Sequence, residues 1–255
     1  MITIAIMNQK GGVGKTTTSL CLSEALALRN KRVLAVDMEP QHNLSNTKRV
    51  DTGGVTSMTL LQAAAQAGDA IQHAEHMDVI AGTSVLSTVD SVITDVGKEF
   101  RMKEALSAVQ EDYDFCIIDT PPQLGTITIN ALTACDYVII PAAADMYSIE
   151  AIGELYSTFQ VVWKYCNRDF KILGILITRY KAQQRLTRQA LDSITAMAKG
   201  MGTRVFDTKI RESVAVAEAQ TKRMSLFDYA RYCTSARDYW NLSAEVLKEI
   251  EKYGF

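Results

Sequence analysis

Short unbroken runs of Ile, Val and Leu recur along this chain, separated by longer stretches in which apolar residues return every three or four positions. The runs predict strands at residues 3–7, 33–37, 78–80, 115–119, 137–140 and 172–178, with a short one at 204–206. Because they are continuous rather than alternating, both faces of each strand should be covered, as in a parallel sheet. The intervening stretches predict helices near 15–29, 58–67, 96–110, 125–135, 149–165, 184–199, 214–220 and 235–252. This alternation predicts an α/β fold: a doubly wound, mostly parallel sheet with helices on both faces. No repeat, low-complexity tract or linker interrupts the 255 residues, so a single domain spanning all of them is expected. The chain opens directly on a strand pattern, and neither a signal peptide nor an N-terminal helix-turn-helix is expected.

The first strand runs into Lys10-Gly11-Gly12-Val13-Gly14-Lys15-Thr16-Thr17. A strand that ends in glycines and then starts a helix on Gly-Lys-Thr is a phosphate cradle. Backbone N–H groups and the helix N-terminus face the anion, Lys15 neutralises it, and the Thr16 hydroxyl suits Mg²⁺. The usual spacing would put glycine where Gln9 stands, and the loop carries a second lysine, Lys10. Two further strands end in acids: Asp37, followed by Met38-Glu39-Pro40-Gln41, and Asp119, followed by Thr120-Pro121-Pro122. An acid at the end of an apolar strand beside a phosphate loop can hold a metal-bound water, and Asp119 fits that role best. All four prolines directly follow predicted strands, at the sheet edge where open α/β folds bind ligands.

Composition changes this picture in two places. The five cysteines are scattered with no C-x-x-C pair, which speaks for buried free thiols and against a metal or iron–sulfur site. The net charge of −2 hides an asymmetry: residues 171–240 hold 13 lysines and arginines against six acids. Such a basic segment is a footprint for phosphate backbones, although a solvated helix surface would look the same. Within it, Lys181, Arg185 and Arg188 sit at the start of a predicted helix, and Lys222 and Arg223 follow Glu218-Ala219. No aromatic ladder interleaves with these charges, which favours duplex phosphates over stacked single strands.

Taken together, Lys10 to Thr17, Asp37-Met38-Glu39-Pro40-Gln41, Ile117-Ile118-Asp119-Thr120-Pro121-Pro122, Asn130-Ala131-Leu132-Thr133-Ala134 and Glu218-Ala219 resemble the ParA/Soj family of partition ATPases. These are P-loop NTPases of the deviant Walker A group, to which MinD also belongs. The resemblance implies an ATPase that binds ATP or ADP with Mg²⁺ and is slow until a partner stimulates it. Lys10 matches the lysine that reaches across an ATP-bound homodimer, Lys15 the phosphate-loop lysine, Thr16 and Asp119 the Mg²⁺ residues. Gly11, Gly12, Val13, Gly14 and Thr17 complete the loop. Glu39 stands where the family's water-aligning aspartate is usual, one methylene longer, and Asp37 is the inner acid near the metal. Thr178 replaces an asparagine used at the adenine edge, and Arg211-Glu212-Ser213 aligns with the segment that covers adenine and ribose.

The function so implied is a switch that dimerises on ATP, binds duplex DNA without sequence preference through Lys181, Arg185, Arg188, Lys222 and Arg223, and positions plasmid or chromosomal DNA. A ParB-like centromere-binding partner and a cytoplasmic, nucleoid-associated location go with it. Alternatives are a MinD-like membrane-surface ATPase and a nucleotide switch with little turnover. The former uses a basic amphipathic C-terminal helix, whereas residues 245–252 mix acids and bases, so no stable membrane association is expected. A metallocluster carrier on the same scaffold needs paired cysteines, which are lacking.

Overall fold

The computed structural model describes residues 1–181 and 185–254, with the side chains of 185–187 left aside. Its strands are β1 (Ile2–Ile6), β2 (Val33–Asp37), β3 (Ile71–Ala74), β4 (Met77–Ile80), β5 (Phe115–Asp119), β6 (Tyr137–Ala143) and β7 (Lys171–Thr178). They form one sheet in the order β3-β4-β2-β5-β1-β6-β7, parallel throughout except for the β3–β4 pair at one edge. The helices, in chain order, are α1 (Lys15–Ala27), α2 (Asn43–Lys48), α3 (Ser57–Leu61), α4 (Ala67–Ala70), α5 (Val89–Val92) and α6 (Arg101–Ser107). They continue as α7 (Thr126–Ala134), α8 (Met146–Tyr165), α9 (Arg185–Gly200), α10 (Val214–Lys222), α11 (Leu226–Tyr229) and α12 (Thr234–Glu251).

Successive residues of each central strand feed opposite cores, which is why the strands read as unbroken apolar runs. Ala5, Val36, Cys116 and Ile118 join one core with residues of α3, α6, α7 and α8. Ile4, Ala35, Phe115 and Ile117 join the other with α1 and α12, where Leu22, Leu26, Leu242 and Val246 are fully buried. Helix α1 is therefore enclosed on most sides, with Thr18 through Leu26 buried, and carries almost no amphipathic pattern.

The sheet differs from expectation at its margins. Residues 58–67 do not form one helix: α3 ends at Leu61, Ala63 turns left-handed at φ 54°, and α4 begins at Ala67. High local helix propensity yields there to a tight return of the backbone. The helix expected from residue 96 starts at Arg101, because Gly97 at φ 85° leads into a 3₁₀ turn over Lys98–Phe100. The run at 204–206 is not a sheet strand. Val205 makes one isolated bridge to Ile175, and the Phe206 ring fills the space over Gly174, where a Cβ would come within 2.7 Å of it. The antiparallel edge strand β3, only four residues long and mostly half-buried, carries no strong pattern in the sequence.

Candidate functional site

Register sets the site. β5 lies between β2 and β1, pairing Asp37 and Ile6 each with Asp119, so the loops after three strands emerge side by side. The loop after β1 is pinned at its start by Asn8, whose Nδ2 donates to the Pro141 carbonyl (2.7 Å) and whose Oδ1 accepts from the Lys10 N–H (2.9 Å). Gly12 and Gly14 take φ of 72° and 88°, a conformation that costs other residues about 1 kcal/mol. A Cβ on Gly11 or Gly12 would meet nothing within 4 Å, so the loop edges an open hollow. Gly14 caps α1 without any side-chain cap bond, which leaves first-turn amides available to an anion.

That hollow is a cleft of about 490 Å³ lined by the glycines, Lys15, Thr16, Thr17, Glu39 and Pro122. The Lys15 ammonium is buried, with the Lys10 carbonyl at 3.3 Å as its hydrogen-bond acceptor. Burial pushes its pKa below the ordinary lysine value, against the pull of Asp119 and Glu39. A desolvated cation so placed gains strongly from an anionic ligand.

Asp119 is fully buried; its Oδ1 accepts from Ser19 Oγ at 2.9 Å, and its Oδ2 has no hydrogen-bond partner among the described residues. Burial, and then the neighbouring Asp37 carboxylate, push its pKa well above the ordinary range, while Thr16 and Ser19 hydroxyls oppose them. An orphaned carboxylate oxygen buried behind Thr16, which itself lines the cleft, is a fitting ligand for a hard divalent cation. Asp37 differs. Its Oδ1 accepts from the Glu39 N–H (3.1 Å) and its Oδ2 from both the Ser45 N–H (2.9 Å) and Oγ (2.7 Å). Ser45 Oγ in turn accepts from the Gly82 N–H, and a Cβ on Gly82 would strike Asp37 at 2.9 Å. Asp37 thus sets the course of residues 38–45 instead of facing the cleft, contrary to a direct catalytic or metal contact. Glu39 is half-buried in the cleft wall, and burial raises its pKa.

Other expected residues fall elsewhere. Thr178 does not line the cleft: it is buried beneath the loop, its Oγ1 donating to the Val13 carbonyl at 2.8 Å. Its hydroxyl proton buttresses the phosphate loop and is committed there. Arg211 is held bidentately by Asp238 (2.9 and 2.6 Å), and Glu212 pairs with Lys181 at 2.6 Å. These residues and Ser213 border the cleft region through the Tyr180–Arg211 bridge without lining the cleft themselves. Lys10 points away, to Asp145 at 2.7 Å.

Of the basic residues expected on a nucleic-acid surface, Arg188 and Lys222 are exposed, and Lys222 lies over the Tyr229 ring at 4.6 Å. Lys181 and Arg223 are exposed as well, Lys181 in a surface ion pair with Glu212 and Arg223 at the edge of the cleft. The side chain of Arg185 lies outside the described residues. The sequence reading missed Asn43, Asn46, Arg179 and Gln220 as cleft residues. Gln220 Nε2 donates to Thr17 Oγ1 at 3.0 Å, fastening α10 over the loop. Only the position of Arg179, directly after β7 at the ligand edge of the sheet, could have marked any of them.

Residues 1–172 match the family model described as an AAA domain. The chain is 38% identical over 248 residues to the sporulation initiation inhibitor protein Soj of Bacillus subtilis, covering 95% of this chain and 97% of that protein. It is 34% identical to the chromosome-partitioning ATPase Soj of Thermus thermophilus, covering 98% and 96% respectively. Among solved structures it is similar to cobyrinic acid a,c-diamide synthase from Mycobacterium smegmatis with bound ATP analogue and magnesium. That match has a TM-score of 0.86 at 26% identity, over 99% of this chain and 97% of that one.

Proposed function

The chain belongs to the ParA/Soj family of partition ATPases, and from that premise we propose that it is an ATP-driven dimerisation switch that binds duplex DNA and positions a replicon. The observation that carries the proposal is the convergence on one cleft of a desolvated Lys15, an uncapped α1 N-terminus and a half-buried Glu39, with the orphaned Oδ2 of the buried Asp119 behind Thr16 and Lys15. The amides of residues 11–17 and Lys15 bind the polyphosphate of ATP or ADP. Thr16 and Asp119 would hold Mg²⁺, which spreads the charge of the phosphates when bound. Glu39 orients the attacking water, its raised pKa fitting it to accept a proton.

Lys10 enters a partner protomer's site once ATP displaces it from Asp145. The surface beside it supports a face-to-face dimer: Leu124 and Tyr147 are exposed large apolar side chains lining one hollow with Lys10, where a monomer gains nothing from exposing them. Dimer closure would join basic surfaces from two protomers, and a ParB-like partner would stimulate hydrolysis and release. This reading carries a cytoplasmic, nucleoid-associated location. No helix among the described residues is long and apolar enough to cross a membrane. The apolar positions of α12 that a MinD-like anchor would offer to lipid are packed on the sheet, with Val246 fully buried and Ile250 nearly so.

The test is phosphate release and gel filtration with ATP and Mg²⁺, with and without duplex DNA. An ATP-dependent dimer that retains DNA, with slow turnover, is expected. A chain that binds no ATP, or that binds DNA equally without nucleotide, overturns the proposal.

A further inference from the structure

We propose that a groove between the C-terminal end of α1 and the α11–α12 corner docks an acidic protein segment carrying one apolar anchor side chain. The groove holds about 370 Å³ and opens on the side of the sheet covered by α1 and α12, away from the nucleotide cleft. Leu28, Phe227 and Trp240 supply apolar surface, while Arg231, Tyr232 and Arg237 form the rim. Trp240 is 39% exposed and Tyr232 84% exposed, so two large aromatic side chains present apolar surface to water at one groove.

The charge around these aromatics is one-sided. No carboxylate lines the groove, and among the described residues neither the Arg231 nor the Arg237 guanidinium has an ion-pair or hydrogen-bond partner. Elsewhere in the same part of the chain arginines are matched with acids, as Arg211 with Asp238 and Arg204 with Glu249. A third arginine, Arg29, is used structurally. Its guanidinium stacks on the Trp240 ring at 3.8 Å, and it donates to Ser243 Oγ (2.8 Å) and to the Trp240 carbonyl (3.0 Å). This fixes the indole before any partner arrives, which lowers the ordering cost of binding. A fixed aromatic beside unpaired arginines has the composition of an interface hot spot.

The occupant follows from shape and charge together. Two free guanidiniums select carboxylates, which they can hold bidentately. The apolar floor selects a leucine- or phenylalanine-sized side chain between them. Duplex DNA answers the charge but offers nothing to fill an apolar hollow, so an acidic protein segment with an apolar anchor fits better than a nucleic acid.

The test uses the full chain and a short fluorescein-labelled peptide of Asp and Glu around a central Leu-Phe pair, read by anisotropy. We expect saturable binding that weakens with salt, roughly tenfold or greater loss in an R231E/R237E variant, and a similar loss when the peptide's Leu-Phe becomes Ser-Ser. ATP binding by the double variant checks that it is folded. Equal affinity for parent and double variant, indifference to the Ser-Ser change, or no binding by the parent up to about millimolar peptide overturns the proposal. So does a short DNA duplex that binds the parent, fails to bind the double variant, and meets no competition from the peptide.

Discussion

The Lys10 ammonium lies 2.9 and 2.7 Å from the two carboxylate oxygens of Asp145, the N-cap residue of α8, and 5.6 Å from the centroid of the Tyr147 ring. The lysine proposed to act on a second protomer is thus parked on its own chain, at the edge of the surface that would meet that protomer. Partial burial works against the Asp145 charge, yet hydrogen bonds from Lys10 and Ser148 hold its pKa below the ordinary value. Both side chains are partly exposed, so the pair is worth about 0–1 kcal/mol. Phosphate groups can outbid a hold of that size.

Releasing this hold should favour the dimer. Asp145→Ser keeps a capping oxygen for the Ser148 N–H but removes the charge from Lys10. The ATP concentration needed for half-maximal dimerisation, followed by light scattering, should fall by up to about fivefold, the equivalent of 1 kcal/mol. Lys10→Ala should still bind nucleotide as a monomer and fail to dimerise. A Lys10→Ala chain that dimerises normally removes the trans role from Lys10.

Lys15 should be indispensable in a different way. It is the buried cation of the cleft, and Lys15→Ala removes the loop lysine that would neutralise the phosphates in its own protomer's site. Loss of nucleotide binding by at least about a hundredfold is expected, as for a charge-assisted contact of roughly 3 kcal/mol. Calorimetric titration with ATP checks it; affinity kept within a few fold would discard the phosphate-loop assignment.

Glu39 separates binding from turnover. Glu39→Ala should bind ATP and dimerise but hydrolyse slowly, so that DNA retention lengthens. Glu39→Asp shortens the side chain by one methylene to the family's usual length and should keep or raise the rate. If Glu39→Ala turns ATP over as fast as the parent, the water is held by another group.

Thr178 tests the buttress beneath the loop. Thr178→Val preserves shape but leaves the buried Val13 carbonyl without its 2.8 Å donor, at a cost of about 1–3 kcal/mol. Thermal unfolding should shift down, and ATP affinity should weaken, with turnover per bound ATP little changed. A contact to adenine would instead alter the preference for ATP over GTP without lowering the stability of the free chain.

The sheet and the core of the cleft were legible in the sequence because both rest on local pattern. Apolar runs such as 115–119, bounded by turn residues, read as doubly covered strands, and Gly-Lys-Thr directly after β1 marks a phosphate-type loop. What escaped depends on contacts distant in sequence. The contact of Thr178 with the phosphate loop could not be read, because its partner, Val13, is 165 positions away. Arg223 and Lys181 are surface charges as expected, but nothing local shows that Arg223 borders the cleft or that Glu212 meets Lys181. Asp37 looked like a metal neighbour until Ser45 and Glu39 were seen to occupy its oxygens. A short half-buried edge strand such as β3 leaves too weak a period to read.

The DNA surface is the last point on which the structure alters expectation. Lys181, Arg188, Lys222 and Arg223 are all exposed; because Lys181 is paired to Glu212 and Arg223 borders the cleft, Arg188 on α9 and Lys222 at the end of α10 are the candidates for a test that leaves the nucleotide site alone. Lys222 sits above Tyr229 and near Arg49, whose Nη2 donates to the Lys222 carbonyl at 3.3 Å. Arg49 is itself exposed, and it extends the basic surface around the end of α10. Binding through phosphates should be indifferent to sequence and steeply salt-dependent, each lost contact flattening the log–log slope by about 0.9. Removing Arg188 and Lys222 together in each protomer of a dimer should therefore reduce the slope by up to about 3.6, while ATP-dependent dimerisation stays intact. Retardation of a random duplex with ATP across a salt series, comparing the parent with Arg188→Ala/Lys222→Ala, reads both affinity and slope. An unchanged slope would move the DNA contact away from α9 and α10, and binding by the parent without nucleotide would detach it from the switch.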